Sequence, residues 1–520
     1  MLNTSTRRLL AGLGVVGALV ATTAIPASAA PADVEINLYF PDVTVAADTA
    51  GKVESPVMSA SEPVVLREAT MRYDFSDLAG KVNVTEDDDF GYCTKPEPGV
   101  LLCTDPFEIG LDEWGLAGLF QVVIAATDGT DDATGKLKVT FSAAGVDPLT
   151  WESTVRVGEG VDLAGATDTV KVSARPGEAL SLPLTVRNPG TTTVKGSTAL
   201  FDVDYELRAD EKYSNCTYEG DELRFCHFDQ ELAPGTTYRA SVDFVLGKDT
   251  YAPGDVYTYT NWMTSAEYED FAAYLESRGI SPGKPGTGPE LTLAVDDRAR
   301  APQADTDPDN NWSSYEVAVT GTNGTDLAAI GDKLTGAAGD KVTATVGFRN
   351  NGPATLNHIR SDSPVTHLRV GVPQGTTVIG APEWCVPIKG EEFGEPGEAG
   401  GSNYHCYAST LSIAGEEETY EFTLRVDKVV ANAKGPVEVN VPCQCDGGFY
   451  DDLKPANDTA AILVNATGGG GGGGGEDGDG GTLPITGAQT SLIAGVGGLL
   501  LAVGVGGFVL ARRRRTRFVA

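Results

Sequence analysis

Apolar residues recur at every second position through much of this chain. Ala69, Met71, Tyr73 and Phe75 alternate with polar neighbours; so do Tyr238, Ala240, Val242 and Phe244, and again Tyr420, Phe422, Leu424 and Val426. Period two predicts strands with one buried face. The pattern also repeats over long distances. Gly177 to Gly190 aligns without gaps on Gly339 to Gly352. Each segment opens on Gly and an acid, alternates, and closes on Arg-Asn-x-Gly: Arg187-Asn188-Pro189-Gly190 and Arg349-Asn350-Asn351-Gly352. Asn and Gly both tolerate positive φ, so each strand is expected to end in a turn.

Two further segments recur in the same order. Cys226 is followed nine residues later by Gly235, and Cys406 nine residues later by Gly415, each ahead of an alternating strand. Pro308-Asp309-Asn310-Asn311 precedes Tyr315, Val317 and Val319; Pro455-Ala456-Asn457-Asp458 precedes Ala460, Ile462 and Val464. Two homologous domains follow from three matched segments. Upstream, the Arg-Asn-x-Gly element is missing, but an alternating strand, the pair Cys93 and Cys103, and the apolar run Leu119 to Ala125 remain. The expected organisation is three tandem domains at 31–158, 159–320 and 321–466. Many short strands with Gly/Pro turns predict an all-β chain of antiparallel β-sandwiches. One segment departs from this. Thr264 to Arg278 reads as a helix with a Thr264-x-x-Glu267 capping box, an apolar face of Tyr268, Phe271, Ala272 and Leu275, and a stop at Gly279. It is expected to pack on a sheet edge, the alternative being a lid over a ligand.

Both ends read as addresses. Residues 1–30 form a signal peptide: Arg7 and Arg8, an apolar stretch from Leu9 to Ala24, and Ala27-Ser28-Ala29 before the cleavage point. An uncleaved N-terminal anchor is the alternative. Residues 467–482 are a Gly-rich linker, and its roughly 15 residues reach about 50 Å when stretched. Leu483-Pro484-Ile485-Thr486-Gly487 follows, then the uncharged stretch 488–511 and Arg512-Arg513-Arg514-Arg515-Thr516-Arg517. Leu492 to Ala511 alone gives a helix of about 30 Å, enough to span a bilayer, with the arginines on the cytosolic side. A single-pass membrane protein is the alternative reading.

This ordered trio resembles the sortase sorting signal of Gram-positive wall-anchored proteins. The resemblance covers the last 38 or so residues. It implies that a sortase attacks the Thr486 carbonyl, releases Gly487 onward, and passes Thr486 to an amino group of a peptidoglycan precursor. Pro484 suits such a substrate, because it holds the preceding residue extended. The body, in turn, resembles immunoglobulin-like repeats of bacterial surface proteins, with the turn Asn350-Asn351-Gly352-Pro353, a Cys pair and an Asp-Pro-x-x-Asn-type closing strand. The third domain matches best and the first only loosely. That resemblance implies a structural or adhesive role without a common catalytic site. The Ala/Gly-rich composition goes with an actinobacterial source.

Charge narrows the partners. The chain carries 38 Lys and Arg against 73 Asp and Glu, a net charge of −35, and its basic clusters sit at the two ends. Such a body repels phosphate backbones, so no nucleic-acid partner is expected. Eight cysteines in an exported chain predict disulfides. Cys93 with Cys103, Cys216 with Cys226, and Cys385 with Cys406 fall one pair per domain; closing a loop of about 11 residues stabilises by about 2.7 kcal/mol. Cys443-Gln444-Cys445 is a strained pair or a redox or metal site. His227, His358, His367 and His405 offer no metal-ligand spacing, and no metal or cofactor is expected. Asp305, Asp307, Asp309 and Glu316 fall at EF-hand positions, but Asn310 replaces the required Gly and Pro308 intrudes. Thr85 to Asp89 and Asp128 to Asp132 are further acidic runs, read as turns. Gly-x-Ser-x-Gly, His-Glu-x-x-His, a P-loop and the Tyr-Pro-Lys of pilus shafts are all missing. The expectation is a non-enzymatic surface protein anchored at Thr486, acting as stalk or adhesin. The second hypothesis is a module for an extracellular protein or carbohydrate ligand, with Tyr251, Tyr257, Tyr259 and Trp262 as the place to look.

Overall fold

The computed structural model describes residues 34–466 except 48, 88–90, 113–114, 128, 131–132, 292–302, 391, 442–448 and 450. The signal peptide, the linker, Leu483 to Gly487, the 488–511 span, and Cys443 with Cys445 therefore lie outside the described residues. The chain divides into two compact units. The first comprises 1–43, 50–128 and 134–155; the second comprises 44–49, 129–133 and 156–520.

In the first unit, Thr70–Asp74 lies between Thr134–Ala143 and Val100–Thr104, and Val122–Ala126 lies between Lys52–Glu54 and Val82–Glu86, all antiparallel. Met71, Tyr73, Val84, Ile124, Val139 and Phe141 are fully buried between these sheets. The period-two pattern thus becomes one inward face per strand. The strand near Leu119 begins only at Val122, because Phe120 takes a left-handed φ of 52° that breaks the extended run. The carbonyl of Phe120 accepts the buried Tyr73 hydroxyl at 2.6 Å.

The second unit holds two hydrophobic cores, hence two sandwiches, called middle and last by chain order. The middle core lies between two sheets. One runs in the order Val170–Ala174, Trp312–Asn323, Ala252–Thr264, Val194–Asp202, Glu222–Leu232, Cys216–Glu219, Lys284–Pro285; the other pairs Ala179–Arg187 and Leu207–Ala209 with Thr237–Leu246. The last core lies between a four-stranded sheet centred on Lys341–Asn350 and Glu417–Val426 and a larger one carrying His367–Gly371 and Asn403–Tyr407. Both are immunoglobulin-like in build: the ladders are mostly antiparallel, with a parallel one where an early strand meets the last. Val170–Ala174 runs parallel to Tyr315–Val319, and Asp332–Leu334 parallel to Ile462–Val464.

The repeated Arg-Asn-x-Gly element closes each sandwich from inside. Asn188 and Asn350 are fully buried. The Asn350 amide donates to the carbonyls of Ala354 (3.0 Å) and Ser412 (2.9 Å), and its side-chain oxygen accepts Gly352 N–H at 2.8 Å. Asn188 repeats this with Thr192, Leu232 and Gly190 at 2.8, 2.8 and 3.1 Å. The Gly nine residues after each cysteine completes the knot: Gly235 N–H donates to the Asn188 carbonyl, and Gly415 N–H to that of Asn350. Both glycines have positive φ, 70° and 91°, which L side chains rarely adopt.

Replacing Asn350 by Ala strips two buried carbonyls and one buried N–H of their partner. Each group left unpaired costs about 1–3 kcal/mol. Asn350→Ala is therefore expected to lower the denaturant midpoint of the last sandwich well below wild type, and Asn188→Ala that of the middle one, read by tryptophan fluorescence.

Candidate functional site

Three disulfides join neighbouring antiparallel strands. Cys93 pairs with Cys103, Cys216 with Cys226, and Cys385 with Cys406, each directly opposite its partner, with Cα–Cα distances of 3.9, 4.0 and 4.1 Å. Each staples an outer strand to its neighbour. The first departs from the other two in burial. Cys103 is fully buried, as are Cys216, Cys226, Cys385 and Cys406, but Cys93 is only half-buried. The cause is the strand it sits on: Cys93–Thr94 is two residues long and forms the edge of its sheet, with Val100–Thr104 as its neighbour.

The histidines are packing residues. His227 meets the Thr198 hydroxyl at 3.0 Å and the Tyr268 ring at 4.5 Å, and burial pushes its pKa down. His405 and His367 are buried and hydrogen-bonded to each other at 3.1 Å. His358 contacts the Pro364 carbonyl at 3.2 Å. Among the described residues, no group of three or more His, Cys, Asp or Glu could hold a metal ion.

The EF-hand-like residues do not converge. Asp305 accepts Leu163 N–H and Asp307 N–H, Glu316 pairs with Lys171 at 2.8 Å, and Asp309 is exposed. Asp305 is pushed up to about 7 by its burial, with the Glu267 charge adding to it. It serves the turn that closes the middle sandwich. Of the other acidic runs, Asp88, Asp89, Asp128, Asp131 and Asp132 lie outside the described residues.

The helix spans Ser265–Ser277 and packs on the outer face of the middle sandwich. Thr264 caps it, with the Thr264 hydroxyl accepting Glu267 N–H and the Glu267 carboxylate accepting Thr264 N–H. Leu275 joins Leu200 and Phe225 in a small buried cluster with Tyr268, Phe271, Tyr274 and Met263 against it. Asp270, also buried, accepts the Thr44 hydroxyl at 2.7 Å and pairs with Arg156 at 2.6 Å. The helix is thus tied down by both apolar packing and a charge pair.

The four aromatics near it divide by strand register. Even positions from Val256 to Thr264 point inward, so Trp262 is buried and donates to the Thr185 carbonyl at 2.9 Å. Tyr257 and Tyr259 point outward. Tyr257 is 39% exposed, whereas Tyr259 lies beneath the Arg360 guanidinium at 5.2 Å. Tyr251 packs against the core of the last sandwich, its ring 5.9 Å from that of Phe449. The structure does not bring the four together as one surface.

It brings together instead a set of charges that no local pattern indicates. Arg360 of the last sandwich pairs with Asp202 at 3.0 Å and Asp204 at 2.9 Å. Asn357 donates to Asp204 at 2.6 Å and to Glu206 at 2.8 Å. Nearby, Thr355 N–H and hydroxyl donate to Asp249 at 2.7 and 2.8 Å. The partners are about 150 residues apart in sequence, which no motif scan could link; an Asn-x-x-Arg facing an alternating Asp-x-Asp-x-Glu is the only trace.

Against known proteins, residues 475–516 match the family model described as the LPXTG cell wall anchor motif. None of the curated proteins matches the chain. Among solved structures, it is similar to a protein described as membrane-anchored from Corynebacterium diphtheriae, with 13% identity, TM-score 0.18, and coverage of 84% of this chain and 91% of that one. An I-band fragment of titin gives 8% identity, TM-score 0.17, and coverage of 84% and 99%. Function is therefore drawn from the C-terminal motif, not from these likenesses. The chain is a secreted, cell-wall-anchored surface protein with immunoglobulin-like sandwiches, and its motif implies sortase processing and linkage to peptidoglycan.

Loss of an N-cap hydroxyl costs about 0.5–2 kcal/mol. Thr264→Ala is expected to speed amide exchange across Ser265–Ser277 by a corresponding factor, while the strands that flank the Cys216–Cys226 disulfide keep their protection.

Proposed function

We propose that this protein is a non-enzymatic stalk or adhesin of three tandem domains, 31–158, 159–320 and 321–466, joined to peptidoglycan through Thr486. The pentapeptide Leu483-Pro484-Ile485-Thr486-Gly487, ahead of an apolar span and a basic tail, is the observation that carries the reading. Sortase is the processing enzyme and this chain its substrate: the Thr486–Gly487 bond breaks, and a Thr486 amide to the wall precursor forms. Residues 1–30 are removed on export, and 488–511 holds the precursor in the membrane until transfer.

The strand order supports a role under tension. In each sandwich of the second unit an early strand is parallel to the last, with Asp332 opposite Ile462 and Leu334 opposite Val464 in the last sandwich. The incoming chain therefore meets the ladder at one end, and the outgoing chain leaves from the other. Tension along the chain shears the ladder, so its hydrogen bonds resist together. An antiparallel pairing would place both ends on one side, where bonds peel singly.

A second reading, binding of an extracellular protein or carbohydrate, draws support from two exposed aromatics of the last sandwich, Trp384 at 70% and Phe393 at 51%. Side chains of that size at that exposure suit a contact surface.

Wall fractionation tests the anchoring. Wild-type cells digested with muramidase are expected to release a peptide ending at Thr486 linked to a peptidoglycan fragment. Thr486→Ala is expected to leave the protein in membrane or medium. Intact Arg-tailed protein in the membrane from both strains would contradict the reading.

A further inference from the structure

The charges between the middle and last sandwiches do not balance. Asp202 and Asp204 share a single guanidinium, that of Arg360, while the Glu206 carboxylate meets only the Asn357 amide; all three carboxylates are largely shielded from solvent. Arg360 is committed: its Nε serves Asp204, Nη1 serves Asp202, and Nη2 serves the Asp202 carbonyl and carboxylate at 3.1 and 3.2 Å. Asn357 spends its amide on Asp204 and Glu206. The one Asn357 side-chain nitrogen lies 2.6 Å from an Asp204 oxygen and 2.8 Å from a Glu206 oxygen, so two shielded carboxyls crowd a single amide. Two ionised carboxylates held that close repel, and a proton on Glu206 removes the repulsion.

We propose that this joint is a proton-operated latch, in which a proton on Glu206 lets Asn357 and Arg360 of the last sandwich seat on the middle one, and its loss opens the joint. The inference holds whether or not the chain serves as a stalk.

The energetics agree with the geometry. Burial, and then the charge of Asp204, push Glu206 from 4.5 up to about 8. The closed joint therefore holds a proton between about pH 4.5 and about pH 8 that an opened, hydrated Glu206 gives up. A state that binds more protons loses stability as pH rises. The latch is tightest below that window, weakens across it, and stays weak above it.

Other groups around Glu206 set the background. On the middle sandwich these are Tyr205, Arg208 paired with Asp249 at 3.1 Å, Glu222, itself raised to about 7 by burial, and Arg224, which pairs with Glu219 and Glu222 at 2.9 and 3.1 Å. On the last sandwich they are Arg360, Glu416 and His358. Cations other than Arg360 already have carboxylate partners of their own, so none replaces the missing proton. Contacts that do not involve Glu206 persist in either state: Thr355 on Asp249, and Tyr251 on Phe449. They keep the opening a hinge rather than a separation.

The test is a distance between the sandwiches as a function of pH. The full chain, in detergent micelles, carries spin labels on non-cysteine handles at the exposed positions Arg239 and Lys434. Wild type is expected to give one narrow distance distribution near pH 5 and a broad one near pH 9, the closed-to-open ratio falling by up to about tenfold per pH unit. Glu206→Gln keeps the shape and carries no titrating proton; it is expected to stay narrow throughout. Arg360→Ala is expected to be broad throughout. A wild-type distribution that does not change with pH overturns the latch, and this holds even if a variant fails to fold. So does a Glu206→Gln chain that broadens as wild type does, or an Arg360→Ala chain that stays narrow.

Discussion

In the middle and last sandwiches, an early strand lies parallel to the last. Val170 faces Tyr315 and Ala174 faces Val319; Asp332 faces Ile462 and Leu334 faces Val464. A short parallel ladder decides where the chain comes in and where it goes out, and so decides how each sandwich meets a pull along the chain. The rest of each sandwich holds that ladder in place. The buried Asn188 and Asn350 close the turns of the facing sheets, the disulfides staple the outer strands, and Val317 and Ile462 root the last strands in the core. For a chain covalently fixed at its C-terminal motif, that arrangement is the basis of the proposed tensile role.

Acidity has a second consequence beyond repelling polyanions. With almost twice as many acids as bases, buried junctions run short of cations. Where the middle and last sandwiches meet, one arginine serves two carboxyls and an asparagine amide serves the third. Where the closing turn of the middle sandwich meets the helix start, Asp305 lies near Glu267. Burial of surplus carboxyls is tolerated by keeping protons on them, which makes these two contacts responsive to mild changes in pH.

The strands, the paired cysteines, the helix and its cap could be read from local order, because each rests on residues close in sequence. Thr264 and Glu267 are one helical turn apart, and Cys216 and Cys226 flank one hairpin. Cys93 and Cys103 were legible as a pair in the same way; the unequal burial of the two was not, since it depends on which strand ends up at the sheet edge. The Arg-Asn-x-Gly repeat was legible as a turn, but not as a buried amide knotted to Gly235 or Gly415, since that needs the fold to bring distant backbone groups together. Tyr257 and Tyr259 were legible as alternating; which side of the sheet they face was not. The joint was hidden for the same reason. Asn357 and Arg360 look like ordinary loop residues until they meet Asp202, Asp204 and Glu206. The late start of the strand at Val122 depends on the left-handed Phe120, which no alternation pattern foretells.

Single-molecule pulling of the last sandwich in two directions tests the tensile account most directly. In one, force is applied along the chain, from the N-terminus to Thr486. In the other, handles at Glu438 and Thr459, which face each other across an antiparallel pair, open that pair from one end. The account predicts a clearly higher rupture force along the chain than across the pair. Equal forces, or a lower force along the chain, would contradict it.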